Sequence, residues 1–346
     1  MQTGIHFENG QVYTWIMDEN RTIEKEPTVL HGSWTDYMTE LTVSPAGRKG
    51  SYGIVMDGLN HSKIEEAKEL SERLGIVEGL RLYTKEEAAL GLVQYQQNDL
   101  DKGKTAIFDY RKNHMDYYEV KKQSDTIVVE KQDFTDIMSQ AMSNSQKDQF
   151  FLKVIGKALA KGVTTTVYLC GEGFEGNWFT KSSRTLCIGR RVFMGKHLFA
   201  CGAAYMAGKD AKEEQDGAFI LTETMTICQI GLTLCHHGKD VFCPILPAGK
   251  PWFEAKGKIQ MMVSGINKLV FELRDKNGIK QASVFMTLNG INKDSDQVYK
   301  LEIQGEYLSP DQCKMKVTDQ GFGSLRPSSH QIWQQVIHLE RGDFRE

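Results

Sequence analysis

The feature that most constrains this chain is an internal repeat of strand-rich units. Gly4-Ile5-His6-Phe7-Glu8 and Gln11-Val12-Tyr13-Thr14-Trp15-Ile16 are apolar-rich runs joined by Asn9-Gly10, a strong short-range hairpin signal. A short run at Pro27–Leu30 predicts a third strand, and Tyr52–Met56 reads as a buried one. A helix from about Lys63 to Leu74, capped by Asn60 or Ser62, sets Ile64, Ala67, Leu70 and Leu74 on one face, so it packs on a sheet. Thr84-Lys85-Glu86-Glu87 is a capping box ahead of the helix Ala88–Val93. The pattern then restarts. Strands at Thr105–Tyr110, Met115–Val120 and Thr126–Val129 precede a helix from about Asp148 to Lys161 and an apolar strand, Thr166–Cys170. Such self-similarity predicts a duplicated architecture.

Beyond about residue 245 helical periods give way to short alternating strands. They fall at Lys258–Val263, Leu269–Leu273, Ser283–Leu288, Val298–Ile303 and Cys313–Val317. In Tyr299-Lys300-Leu301-Glu302-Ile303-Gln304 apolar and polar residues alternate strictly, as a sheet with one buried and one wet face requires. The expected organisation is therefore α/β over 1–100 and 101–245, then an antiparallel β-sandwich over 246–346.

Composition narrows the function classes. The net charge of −3, from 42 basic and 45 acidic residues, lacks the basic excess that phosphate-backbone binding needs, so nucleic acid is not an expected partner. No apolar run approaches the length needed to span a bilayer, and Met1-Gln2-Thr3-Gly4 lacks a leader's layout; no membrane partner and a cytoplasmic location are expected. The seven irregularly spaced cysteines read as buried thiols.

The duplicated unit resembles, over roughly residues 1–245, the two ribonuclease-H-like lobes of the actin, sugar-kinase and heat-shock-chaperone ATPase superfamily. The hairpin Gly4–Ile16 stands where that superfamily has its first phosphate loop, and Phe108-Asp109-Tyr110-Arg111 where it has its second. Tyr168-Leu169-Cys170-Gly171-Glu172-Gly173-Phe174 is similar to its adenosine-binding strand and turn. Ala200-Cys201-Gly202-Ala203-Ala204 resembles its late helix, and Glu87-Ala88-Ala89 the helix that links the lobes. With the β-rich C-terminal part, the chain resembles an uncharacterised bacterial family.

The resemblance implies actin-like lobes with mixed sheets and flanking helices, and ATP or ADP with magnesium as cofactor. It marks Asn9, Gly10, Asp109, Gly171, Glu172, Gly173, Phe174, Gly202 and Ala203 as candidate nucleotide contacts. The phosphate loops depart from the pattern. His6 stands where the first loop usually has its metal-organising aspartate, Glu8 replaces a loop glycine, and Arg111 replaces the glycine two residues after Asp109. These changes predict a degenerate nucleotide site, or none, in a pseudo-ATPase scaffold or regulator rather than an enzyme. The alternatives are a magnesium-dependent ATPase or phosphotransferase using Asp109 and Glu8, and a filament-forming protein.

Arg184, Arg190, Arg191 and Lys196 form a basic stretch that could meet an anion or an acidic partner. Cys235-His236-His237 has no second cluster at a ligand spacing, so no metal site is expected. A protein partner is expected at the C-terminal β domain.

Overall fold

The computed structural model describes residues 1–339 apart from 19–20, 44, 77–78, 113, 142, 210–218, 223, 292–296 and 325. It divides into two compact units, Met1–Glu223 and Thr224–Glu346.

The first unit opens with β1 (Gln2–Glu8), β2 (Gln11–Asp18) and β3 (Arg21–Val29), then α1 (Trp34–Leu41), α2 (Pro45–Arg48), β4 (Ser51–Val55), α3 (His61–Leu74), β5 (Leu80–Tyr83) and α4 (Lys85–Tyr95). Asn9 and Gly10 at the first hairpin have φ of 52° and 77°, the positive values a two-residue primed turn needs. The strands form one sheet in the order β3-β2-β1-β4-β5, antiparallel from β3 to β1 and parallel from β1 to β5.

The arrangement is then repeated. β6 (Lys104–Arg111), β7 (His114–Gln123) and β8 (Thr126–Asp133) precede α5 (Thr135–Met138), α6 (Asn144–Ala158), β9 (Thr164–Cys170), α7 (Thr180–Leu186), β10 (Arg191–Gly195), α8 (Leu198–Gly208) and β11 (Phe219–Leu221). The second sheet runs β10-β9-β6-β7-β8 with the same parallel and antiparallel pairings, and β11 is added beside β8. The expected duplication is thus present strand for strand.

Helices α4 and α8 provide the core shared by both sheets, in which Ala88, Leu92, Phe199 and Ala203 pack with Val55, Ile107, Tyr118 and Tyr168. On the other face of the second sheet, Phe108, Tyr117, Phe151, Phe174 and Trp178 form an aromatic layer under α6. Among the strands that differ from the sequence reading, β11 and three strands of the second unit, at Gln229–His236, Lys239–Leu246 and Ile332–His338, were not anticipated, and two more differ in extent or kind. β3 begins well before Pro27, and Arg191–Gly195 is a strand rather than only a basic stretch. Both lie at sheet edges and are largely exposed, so no buried face writes alternation into them.

The second unit holds β12 (Gln229–His236), β13 (Lys239–Leu246), β14 (Lys256–Val263), β15 (Lys268–Arg274), β16 (Lys280–Thr287), β17 (Tyr299–Ser309), β18 (Gln312–Asp319) and β19 (Ile332–His338). They form two antiparallel sheets, β13-β12-β15-β16 and β14-β17-β18-β19. The strict alternation is realised: Tyr299, Leu301 and Ile303 are buried, while Lys300, Glu302 and Gln304 face outward. The thiols correct one expectation. Cys170, Cys201, Cys228 and Cys313 are buried, but Cys187 and Cys235 are exposed, because each lies near the end of its element where packing stops.

Candidate functional site

The two hairpins bring the ends of β1 and β6 toward the first turn of α4. The capping box, in which Thr84 accepts from the Glu87 amide and Glu87 accepts from the Thr84 amide, fixes where α4 starts and hence where Lys85 stands. The Lys85 ammonium lies 2.6 Å from Glu8 Oε2 and 3.2 Å from Asp109 Oδ2, bridging the two sheets. Arg111 Nε donates to Asp109 Oδ1 at 2.7 Å, Nη2 reaches Cys170 Sγ at 3.2 Å, and the guanidinium lies 4.7 Å from the Tyr13 ring centre. His6 Nε2 is 3.1 Å from Glu8 Oε2.

Charge and burial compete at each group. Burial favours neutral Lys85, but Asp109 and Glu8 outweigh it and hold its pKa above the ordinary value. Burial pushes Glu8 up, yet the His6 hydrogen bond and the Lys85 charge hold its carboxyl well below the usual range. Fully buried His6 is shifted down, chiefly by desolvation. Neutral His6 therefore carries its proton on Nε2 and donates it to Glu8, while Nδ1 has no hydrogen-bond partner. Burial also pushes the Cys170 thiol up to about 12, so it meets Arg111 as a thiol.

Outside this network lies a cavity of about 520 Å³ lined by Asn9, Gln11, Tyr13, Lys112, Glu172 and Lys196. Arg111 Nη1, buried and without a hydrogen bond, lies 3.9 Å from Glu172 Oε2. The Lys112 amide donates to Glu172 Oε1 at 2.9 Å, and Lys196 pairs with Glu175 at 2.5 Å.

Of the residues singled out in the sequence, Asn9, Glu172 and Lys196 line this cavity and Asp109 belongs to the buried network. Gly10 is at the hairpin tip. Gly171, at φ 96°, and Gly173 wrap the end of β6; a Cβ on them would come within 2.3 Å of the Tyr110 carbonyl oxygen and 2.5 Å of the Tyr110 ring. Phe174 stacks on Trp178 inside the aromatic layer. Gly202 and Ala203 are buried in α8. The basic stretch disperses: Arg184 is exposed on α7, Arg190 caps that helix through the Thr185 carbonyl at 3.2 Å, and Arg191 donates to Thr166 Oγ1 at 3.0 Å.

Sequence reasoning missed Lys85 as a site residue. Its signal was there: a cation in the first turn of a helix opposes the macrodipole and calls for nearby carboxylates. It also missed His114, Asp116 and Asp133, whose ligand atoms lie within 4.8 Å of one another. The Lys131 ammonium, 3.1 Å from Asp116 Oδ2, already supplies that cluster with a cation.

Two sheets of one topology around shared helices, with their hairpins meeting at a common polar centre, define a duplicated actin-like α/β protein carrying a C-terminal antiparallel β unit. The model described as family of unknown function (DUF5716), C-terminal, matches residues 43–223, and the chain belongs to that family. A second model, domain of unknown function (DUF8552), matches residues 225–339.

A search of the curated proteins finds no match. Among solved structures, the chain is similar to a ROK hexokinase from Thermus thermophilus (10% identity, TM-score 0.38, covering 59% of this chain and 96% of that one). It is similar to a Bacteroides thetaiotaomicron protein with actin-like ATPase fold and unknown function (10%, 0.35, 60% and 95%). A third is component A of the (R)-2-hydroxyglutaryl-CoA dehydratase of Acidaminococcus fermentans (10%, 0.39, 60% and 99%). Among the described residues, no helix is long and apolar enough to cross a membrane.

Proposed function

We propose that this protein is a non-hydrolysing actin-like scaffold or regulator, in which an internal ion network replaces the nucleotide's phosphates and metal. The observation that carries this reading is Lys85, whose one ammonium engages Glu8 from the first hairpin and Asp109 from the second. Those two carboxylates are the ones a magnesium ion would need, and Lys85 and Arg111 already neutralise them. ATP and magnesium do not fit these residues: phosphates and metal would have to displace the buried ion pairs that Lys85 and Arg111 make with Glu8 and Asp109, and removing one partner of such a pair costs about 3–5 kcal/mol. The turn at Gly171–Phe174 likewise spends its glycines on approaching Tyr110 rather than on leaving a slot for a base. A clamp of this kind holds the two sheets in one arrangement without turnover, which suits a protein that works by presenting a surface. The C-terminal β unit supplies the partner surface in this reading.

The test is calorimetry with ATP and ADP, with and without magnesium, on the whole chain and on Asp109→Ala. The expected result is no magnesium-dependent heat in either protein. Magnesium-dependent binding that Asp109→Ala abolishes, accompanied by phosphate release, would establish the active-ATPase alternative instead.

A further inference from the structure

On the outward face of the sheet β14-β17-β18-β19, a concavity of about 370 Å³ is lined by Lys256, Lys258, Gln304, Glu306, Lys314 and Lys316, with the backbone at Gly257 and Gly305 also lining it. The register places these side chains in two rows. Lys256, Glu306 and Lys314 are cross-strand neighbours, and so are Lys258, Gln304 and Lys316. In the first row Glu306 stands between two lysines and pairs with Lys314 at 3.4 Å. In the second row the residue between the lysines is neutral Gln304, so four lysines face one glutamate and the lining carries a charge of +3. The carboxylate of the next row, Glu302, accepts from the amides of Gln260 and Gln304 at 3.2 and 2.7 Å and also feels the charges of Lys258 and Lys316, so it offsets the lysine row in part.

Like charges gathered on one sheet face are destabilising, and this cluster is notable in a chain whose net charge is −3. Its spacing is also regular. Lys256 and Lys258 are two residues apart on β14, as are Lys314 and Lys316 on β18. Residues so separated on a strand lie about 6.8 Å apart on one face, and β14 and β18, flanking β17, are about 9.6 Å apart. An extended peptide with an acidic side chain at every second position repeats at the same distance. Exposed Ile332 and Val336 on β19 lie beside Thr318 and Lys314 on the same face and offer apolar surface to the stems of the peptide's acidic side chains.

We infer that this lysine-lined face is a docking site for an extended acidic segment of a partner protein, laid along β17 with alternate carboxylates reaching the two lysine rows. The inference rests on charge and spacing in the C-terminal unit and does not depend on the fate of the ion network in the first unit.

The test is fluorescence anisotropy of the whole chain with a short labelled peptide alternating glutamate and threonine, against its glutamine–threonine counterpart. The glutamate peptide is expected to bind, to weaken as salt rises, and to lose affinity by about threefold to tenfold with Lys258→Gln/Lys316→Gln, since exposed ion pairs are individually weak and screened. The variant's urea midpoint should match that of the unaltered chain, and the glutamine peptide should not bind. Equal binding of the two peptides, or an affinity unchanged in the variant, would overturn the proposal. So would capture of phosphatidylserine vesicles or duplex DNA through these lysines with no binding of the acidic peptide.

Discussion

Gly202 on α8 lies directly against the Ala88 carbonyl of α4, so closely that a Cβ on it would stand 1.9 Å from that oxygen. Gly91 on α4 faces Gly202 in return, where a Cβ would be 2.4 Å from the Gly202 carbonyl oxygen. Paired glycines thus let the two central helices touch backbone to backbone.

Gly202→Ala should therefore destabilise the first unit by at least about 1–3 kcal/mol, the usual cost of overpacking, because the obstacle is backbone rather than a yielding side chain. Urea denaturation gives the answer. A change under about 0.5 kcal/mol, the range of ordinary surface substitutions, would show that the helices do not meet as described.

Lys85→Met should cost about 3–5 kcal/mol, because it leaves Glu8 and Asp109 buried together with one cation fewer. Adding Glu8→Gln should recover part of that loss, giving a coupling energy measurable in a double-mutant cycle. Additive effects of the two substitutions would mean that Lys85 and Glu8 do not interact.

Acid should weaken the first unit in two stages. The folded-state pKa of His6 is depressed below its ordinary value of 6.5, so the unfolded chain takes up the proton first, and the contribution present above pH 6.5 is lost as pH falls. Glu8, depressed from 4.5, adds a second loss below that pH. Lys85 is raised and so contributes throughout this range, losing its effect only in strong base. One linked proton gives at most about 1.4 kcal/mol per pH unit, and His6→Gln should flatten the urea midpoint between about pH 6.5 and 5. Parallel profiles for the two proteins would exclude His6 as the titrating group.

Thiol titration should separate the cysteines by burial. Cys187 and Cys235 should react with a disulfide reagent at once, whereas Cys170, Cys201, Cys228 and Cys313, with thiols pushed up to about 12 by burial, should wait for unfolding. Cys187→Ser/Cys235→Ser should remove most of the fast phase, leaving half-buried Cys243 as the remaining accessible thiol. A fast phase that persists in full would place other thiols at the surface.

Much of the fold was legible locally. Asn9-Gly10 specified the first turn, the box at Thr84–Glu87 started α4, and alternation at Tyr299–Gln304 marked a sheet with one wet face. β3 and β10 were not fully legible, because edge strands carry charge where a buried strand carries a pattern. In the site, Asp109 could be picked out as a match to the resemblance and Arg111 as a departure from it, but the meaning of the departure could not: a bulky cation reads equally as a plug and as an anion hook.

The sequence by itself determined the main elements of the first unit and their duplication, since these follow from periodicity and turn chemistry within short windows, while the loss of the loop glycines is what the resemblance implies. Only the tertiary structure decided that Lys85, seventy-seven residues after Glu8 and twenty-four before Asp109, would sit between them. That outcome depends on the crossing of two sheets and the close approach of α4 and α8, and ion pairing acts through distance in space, which separation along the chain does not encode.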